Sequence, residues 1–150
     1  SGALSAPPSP LAPRAAALVR EGQAELTAGN VDAAFDAFEA ALAVQPGPPQ
    51  IYILLAEASR RSGMQGKALR YYREALASDP QNLAAISGEG AALVEKGAID
   101  RARRNLTRLQ TLCGDTCEAT RQLSAAIAKG PAPRIVTAEA VTSEPVVSDN

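Results

Sequence analysis

The chain has 150 residues, 46% of them apolar but only 3% aromatic, with no Trp and no His. Plentiful Ala with few aromatics favours closely packed helices over a β-sandwich, and the length suits one domain. The absence of His removes the usual general base of acid–base or triad catalysis, and a formal net charge of −1 leaves nothing to draw the whole molecule to nucleic acid or an anionic membrane surface.

Residues 1–13 carry Pro7, Pro8, Pro10 and Pro13 among Ser, Ala and Gly, the composition of an extended linker that buries little and is expected to be disordered. The chain opens on Ser1 rather than Met, which fits either a trimmed chain or a mature product whose export signal has been removed. A first helix is predicted over 14–28 and stops at Gly29, which supplies a left-handed turn. Asn30 is placed to cap a second helix over 31–44, with Ala34, Phe38, Ala41 and Leu42 inward. The run Pro46-Gly47-Pro48-Pro49 ends it, and Pro48 or Pro49 fits the opening turn of a third helix, where a missing N–H costs nothing. That helix reaches about Ser62 and presents Tyr52, Leu55, Ala56 and Ser59 on one face.

Gly63 and Met64 hold the next turn. A fourth helix over 65–78 carries the stripe Ala68, Leu69, Tyr72, Ala75 and Leu76. Asn82 caps a fifth over 83–96, in which Gly88 and Gly90 each cost about 1 kcal/mol relative to Ala. Gly88 marks either a close backbone approach or local weakness. The sixth helix, 99–112, turns Ile99, Ala102, Leu106, Leu109 and Leu112 inward and Arg101, Arg103, Arg104 and Arg108 outward. Beyond Gly114, Asp115 and Glu118 have the spacing of a capping box for a seventh helix over 116–129. Its stripe of Ala119, Leu123, Ala126 and Ile127 would cover the apolar end of the array. Residues 131–150 have no helical period; they are expected to be disordered, or else to lie extended against the helices or serve as a ligand themselves. No apolar run approaches the roughly 20 residues needed to span a bilayer.

The helices are copies of one unit. Tyr52, Ala56, Gly63, Ala68, Tyr72, Ala75, Leu76 and Pro80 are matched 34 residues earlier by Leu18, Gly22, Gly29, Ala34, Phe38, Ala41, Leu42 and Pro46. They are matched 34 later by Ile86, Gly90, Gly97, Ala102, Leu106, Leu109, Gln110 and Gly114. A period held over three gapless copies marks a repeat array. The pattern resembles the tetratricopeptide repeat family: a small residue where two helices touch, a Gly turn, an Ala, an aromatic four residues on, another Ala and a closing Pro. The resemblance implies an all-α, right-handed α-solenoid of three helix-turn-helix repeats, about 15–48, 49–82 and 83–116, plus the capping helix, seven helices within residues 14–130. Glu21 and Glu89 stand where the family usually has Leu, Glu25 and Ser59 where it often has Tyr, and the third unit lacks the last Ala and the Pro.

The family binds a peptide or helix of another protein along the concave surface made by the first helix of each unit, and the resemblance implies the same here. By spacing, that surface would show Val19, Gln23 and Leu26, then Ile53, Glu57, Arg60 and Arg61, then Ser87, Ala91, Val94 and Glu95. Some of the apolar members would alternatively pack between helices. Chaperone-binding members clamp a terminal carboxylate with Lys, Asn and Arg; the matching places here hold Val19, Gln23, Leu54, Ala84 and Gly88, so that clamp is not expected. Arg60 and Arg61, beside Ile53 and Val94, suit a short segment combining a hydrophobic side chain with an acid; alternatively they complement the end of their helix dipole.

Charge is uneven along the array. Residues 15–48 set Glu21, Glu25, Asp32, Asp36 and Glu39 against Arg20 alone, whereas 49–82 set Arg60, Arg61, Lys67, Arg70 and Arg73 against Glu57, Glu74 and Asp79. This reads either as solvated helix faces or as a polar axis that orients a partner. No Gly-rich phosphate loop and no metal-ligating set occurs, so no cofactor is expected. Cys113 and Cys117, too few for a closed zinc site, either form a disulfide stapling the last helix or remain two buried thiols. A bridge would place the protein in an oxidising compartment, periplasmic or secreted, and free thiols in the cytoplasm. The expected function is a non-enzymatic adaptor, monomeric or weakly self-associating, with a structural unit that stacks on copies of itself as the alternative.

Overall fold

The computed structural model describes residues 10–133, and the expectations for the N-terminal linker up to residue 9 and for the tail from residue 134 lie outside them. Seven helices make up the described residues: α1 (Pro13–Thr27), α2 (Val31–Val44), α3 (Pro49–Arg61), α4 (Gln65–Ser78), α5 (Leu83–Glu95), α6 (Ile99–Cys113) and α7 (Glu118–Lys129). None of them is long and apolar enough to cross a membrane. The closest packing is within the pairs α1–α2, α3–α4 and α5–α6. Each pair rests on the next, and α7 packs across both α5 and α6. The molecule is an all-α helical-repeat solenoid.

The period in the sequence is a period in the backbone. Gly29, Gly63 and Gly97, each between the two helices of a pair, take φ of +86°, +74° and +80°, a conformation that costs other residues about 1–2 kcal/mol. Within the pairs, small residues admit large ones. Gly22 faces the Phe38 ring, with its Cδ1 2.6 Å from where a Cβ would stand, and Ala56 and Tyr72 share one buried cluster. In the third pair Gly90 is met instead by Leu123 of α7, whose Cδ1 would lie 2.6 Å from an added Cβ. The capping helix thus uses the small position that the second helix of a pair uses elsewhere. Gly88 is a close backbone approach rather than a weakness: the tip of the buried Tyr72 ring lies against it.

The core runs as three linked clusters, around Phe38 and Leu55, around Tyr72 and Leu93, and around Ile86, Leu109 and Leu123. Phe35, unremarked in the sequence pattern, is buried one turn before Phe38 and stands 6.2 Å from Tyr71, ring to ring. Leu11 packs on the first cluster and the Ala12 N–H donates to Gln45 Oε1 at 2.6 Å, so the end of the proline-rich segment is tied to the first pair. Glu21 is exposed, and the half-buried Glu89 accepts a hydrogen bond from Asn105 Nδ2 at 2.9 Å, which explains how a carboxylate replaces the expected Leu.

Two caps differ from expectation. Asn82 accepts from the Ala85 N–H at 2.9 Å as predicted, but Asn30 makes no cap bond and donates to Glu25 Oε2 instead. The Asp115–Glu118 capping box is absent. Cys117 holds the N-cap position, α7 begins two residues later than expected, Asp115 accepts from Gln110, and Glu118 is taken by Arg121 and Gln122. With the charge satisfied by side chains of its own helix, Glu118 has its carboxyl held below the usual range, chiefly by the Arg121 hydrogen bond.

Candidate functional site

The first helices of the pairs, with α7, line a groove of three adjoining hollows. The first, about 540 Å³, lies where Val19 and Gln23 of α1, Pro49, Ile53 and Leu54 of α3, and Leu83 and Ala84 of α5 converge. Its polar members, Gln23, Gln50, Asp79 and Asn82, stand among these apolar side chains. Ala84 also lines the middle hollow, about 280 Å³, with Glu57, Arg60, Ser87, Ala91 and, from α7, Gln122 and Ala126. Glu57 and Arg60 in turn line the third, about 590 Å³, with Arg61, Gln65, Glu95 and Ala132. The groove is therefore apolar at the N-terminal end of α3 and charged at its C-terminal end.

Sequence reasoning placed eleven residues on this surface, and the structure separates them. Gln23, Glu57 and Arg61 are exposed in the groove, and Ile53, Arg60, Ala91 and Glu95 are half-buried along it. Val19 is mostly buried but still forms a wall of the apolar hollow. Leu26 belongs to the first core cluster and Val94, 1% exposed, to the second, so neither presents a surface. Ser87 lies beneath the capping helix, its Oγ donating to the Ala119 carbonyl at 2.9 Å. Leu54, Leu83 and the Ala84 face of the apolar hollow were not singled out as binding positions. The signal for them is an apolar residue on a first helix that the core stripe does not need.

The arginines are partly engaged within the fold. Arg61 Nη1 donates to the Leu26 carbonyl at 3.1 Å, tying α3 to the end of α1. Arg60 Nη1 approaches Tyr72 Oη at a long 3.4 Å. Neither is in an ion pair among the described residues, and a guanidinium carries five N–H donors, so most of each fork stays open to a ligand. Glu57 keeps solvent-accessible surface, yet the protein crowding its groove side desolvates the carboxyl in part and pushes its pKa up, against the pull of Arg60 and Arg61. Tyr72 is likewise pushed up by burial, with Arg60 opposing.

At the far end of the array Cys113 and Cys117 form a pair at disulfide distance, with Cα atoms 5.7 Å apart, inside the range a bridge requires. Among the described residues no cluster of His, Cys, Asp or Glu could hold a metal ion.

The arrangement has counterparts. The chain superposes on the tetratricopeptide domain of Sgt2 from Aspergillus fumigatus with a TM-score of 0.71 at 23% identity, covering 92% of this chain and 99% of that one. It superposes on the first tetratricopeptide domain of Spaghetti (RPAP3) bound to the HSP90 peptide SRMEEVD with a TM-score of 0.67 at 24% identity, covering 77% and 94%. A third match is MamA, with a TM-score of 0.66 at 15% identity, covering 77% and 67%. No curated protein matches the chain in sequence. Residues 15–58 and 49–82 each match a sequence model of the tetratricopeptide repeat. With the 34-residue period, the three helix pairs and the positive-φ glycine in each, these matches identify tetratricopeptide repeats in residues 15–82 and the same repeat fold in the helix pair that follows.

Proposed function

We propose that this protein is a non-enzymatic adaptor that holds a short segment of another protein in the groove of α1, α3, α5 and α7. The observation that carries this reading is the continuity of the groove. An apolar hollow walled by Val19, Ile53, Leu54 and Leu83 shares Ala84 with the middle hollow, which in turn shares Glu57 and Arg60 with the cleft bearing Arg61. Such a surface fits a segment with one or two aliphatic side chains followed by an acid, the aliphatic groups losing water and the carboxylate meeting an arginine fork. The peptide-bound state of the first tetratricopeptide domain of Spaghetti supports the same use of the fold. The ligand differs in kind from one gripped by a carboxylate clamp, because Val19, Leu54 and Ala84, at places where clamping members carry polar side chains, wall an apolar hollow here. With α7 laid over α5 and α6, the end of the array is covered, which favours a foreign partner over stacking of copies.

We also place the bridge between Cys113 and Cys117 in the functional protein, and with it an oxidising compartment outside the cytoplasm. The bridge would anchor the start of α7, the helix that completes the middle hollow.

Fluorescence anisotropy with labelled eight-residue peptides pairing Leu or Val with Glu tests the groove. Arg60→Glu should weaken capture at least tenfold, as expected for a charge-assisted contact, and Ile53→Asp should do so without changing the helical circular dichroism. Arg61→Glu is a poorer probe, since it also removes the bond to Leu26. Unchanged affinity in both Arg60→Glu and Ile53→Asp would refute this site.

A further inference from the structure

We infer that the chain carries its own competing ligand: residues 134–141 occupy the groove in cis and regulate its access to partners. The inference rests on the groove being a peptide site and concerns what controls it.

The last described residues bring the chain to the edge of the groove. After α7 ends at Lys129, Gly130 takes φ of +74° and the chain turns back toward α5. The Ala132 N–H donates to Glu95 Oε2 at 3.1 Å, and Ala132 lines the charged cleft beside Arg60, Arg61 and Glu57. The chain therefore leaves the described structure at Pro133 on the lip of the binding groove, rather than on the outer face of the array.

The residues after Pro133 match the groove in order. Arg134 is the next residue in sequence, and the cleft that an entering segment would meet first holds Glu57 and Glu95. Ile135, Val136, Ala138, Ala140 and Val141 follow in sequence, the residue types that the hollow walled by Ile53, Leu54, Leu83 and Ala84 would take. The lengths agree. Arg61 and Pro49, at opposite ends of α3, are about 18 Å apart at 1.5 Å per helical residue, and an extended chain covers that in about six residues. Residues 134–141 are long enough to run from the charged cleft to the apolar hollow, which is the geometry of a strand-like ligand held by alternate side chains. A tether this short gives an effective concentration near the millimolar range. Even a segment that binds weakly by itself would fill much of the groove and lower the apparent affinity for anything else.

The test uses the full chain and the variant Ile135→Asp/Val136→Asp, whose substitutions lie beyond the last helix and leave the helical array as it is. Amide chemical shifts of Ile53, Leu54 and Ala84 are compared between the two proteins, and the labelled Leu/Val–Glu peptides are titrated into each. With a tether near 1 mM and a segment affinity near 0.1 mM, the variant should bind peptide about tenfold more tightly, and the groove amides should shift while those of α6 stay still. Equal peptide affinity with unmoved groove amides would overturn the inference and leave the adaptor reading intact. Moved groove amides without peptide binding by either protein would uphold the cis contact and overturn the adaptor reading. Shifts that vanish on dilution would also overturn it, since they would assign the contact to the tail of a second copy.

Discussion

Gly88 and Tyr72 both line the middle hollow, and Gly88→Ala asks whether this floor of the groove is as tightly built as it looks. In a helix interior this substitution ordinarily stabilises by about 1 kcal/mol, because Gly is a poor helix former. Here the added methyl would collide with the Tyr72 ring, whose Cε1 lies 2.5 Å from the Cβ position, and Tyr72 is 1% exposed with no open space to move into. Overpacking of this kind costs about 1–3 kcal/mol, so the net expectation is a loss of up to about 2 kcal/mol, or a few degrees of melting temperature for each kcal/mol lost. Gly66→Ala is the control. It sits in the first turn of α4, where the nearest atom to an added Cβ is Lys96 Nζ at 3.7 Å, and it should gain up to about 1 kcal/mol. In a Tyr72→Leu background, Gly88→Ala should lose its penalty, because the clash and the ring go together. Thermal melts followed by circular dichroism measure the parent and the four variants. A Gly88→Ala protein that melts above the parent by as much as Gly66→Ala would show that the ring is not seated against α5, and the account of the groove floor would fall.

Two further outcomes are expected. Thiol titration of the unfolded, unreduced protein should find no free thiols, and reduction should raise amide exchange in α7 more than in α1, at a cost of roughly 2 kcal/mol for so short a loop; two free thiols would remove both the staple and the exported location. Because desolvation raises the Glu57 pKa in the fold, that group favours the folded state below its unfolded pKa, and this contribution is lost as pH rises through the folded value. Glu57→Gln should therefore flatten the decline in denaturant midpoint between about pH 4 and neutrality, and an unchanged slope would show that Glu57 is ordinarily solvated.

The fold was legible because the period and the turn chemistry agree. Gly29, Gly63 and Gly97 fall 34 residues apart and all require positive φ, so one local rule applied three times fixes three hairpins. What the pattern missed was competition among side chains for the same donors. Asp115 and Glu118 have capping-box spacing, but Gln110 and Arg121 take them first. Asn30 prefers a carboxylate five residues back to the backbone ahead of it. Such choices differ by about 1 kcal/mol or less, and the register of consecutive residues does not encode them.

The site was legible position by position but not neighbour by neighbour. Ile53 and Ser87 are the same repeat position, as are Arg60 and Val94, so a periodic argument assigns both members of each pair to the same surface. The structure divides them: Ile53 and Arg60 are half-buried along the groove, whereas Val94 lies in the core and Ser87, at the wall of the middle hollow, is buried beneath α7. The difference lies in the helix laid alongside. α7 packs on α5 more extensively than α5 packs on α3, because Leu123 seats against Gly90, where no Cβ holds the helices apart, and Ser87 bonds to the Ala119 carbonyl. Across α3 the equivalent small position is Ala56, and its second-helix partner Tyr72 extends past it to lie against Gly88. The phenol ring occupies space between α3 and α5 that nothing comparable occupies between α5 and α7. The groove is open beside α3 and closed over α5 because one unit places an aromatic ring at the junction and the next accepts a leucine from the cap.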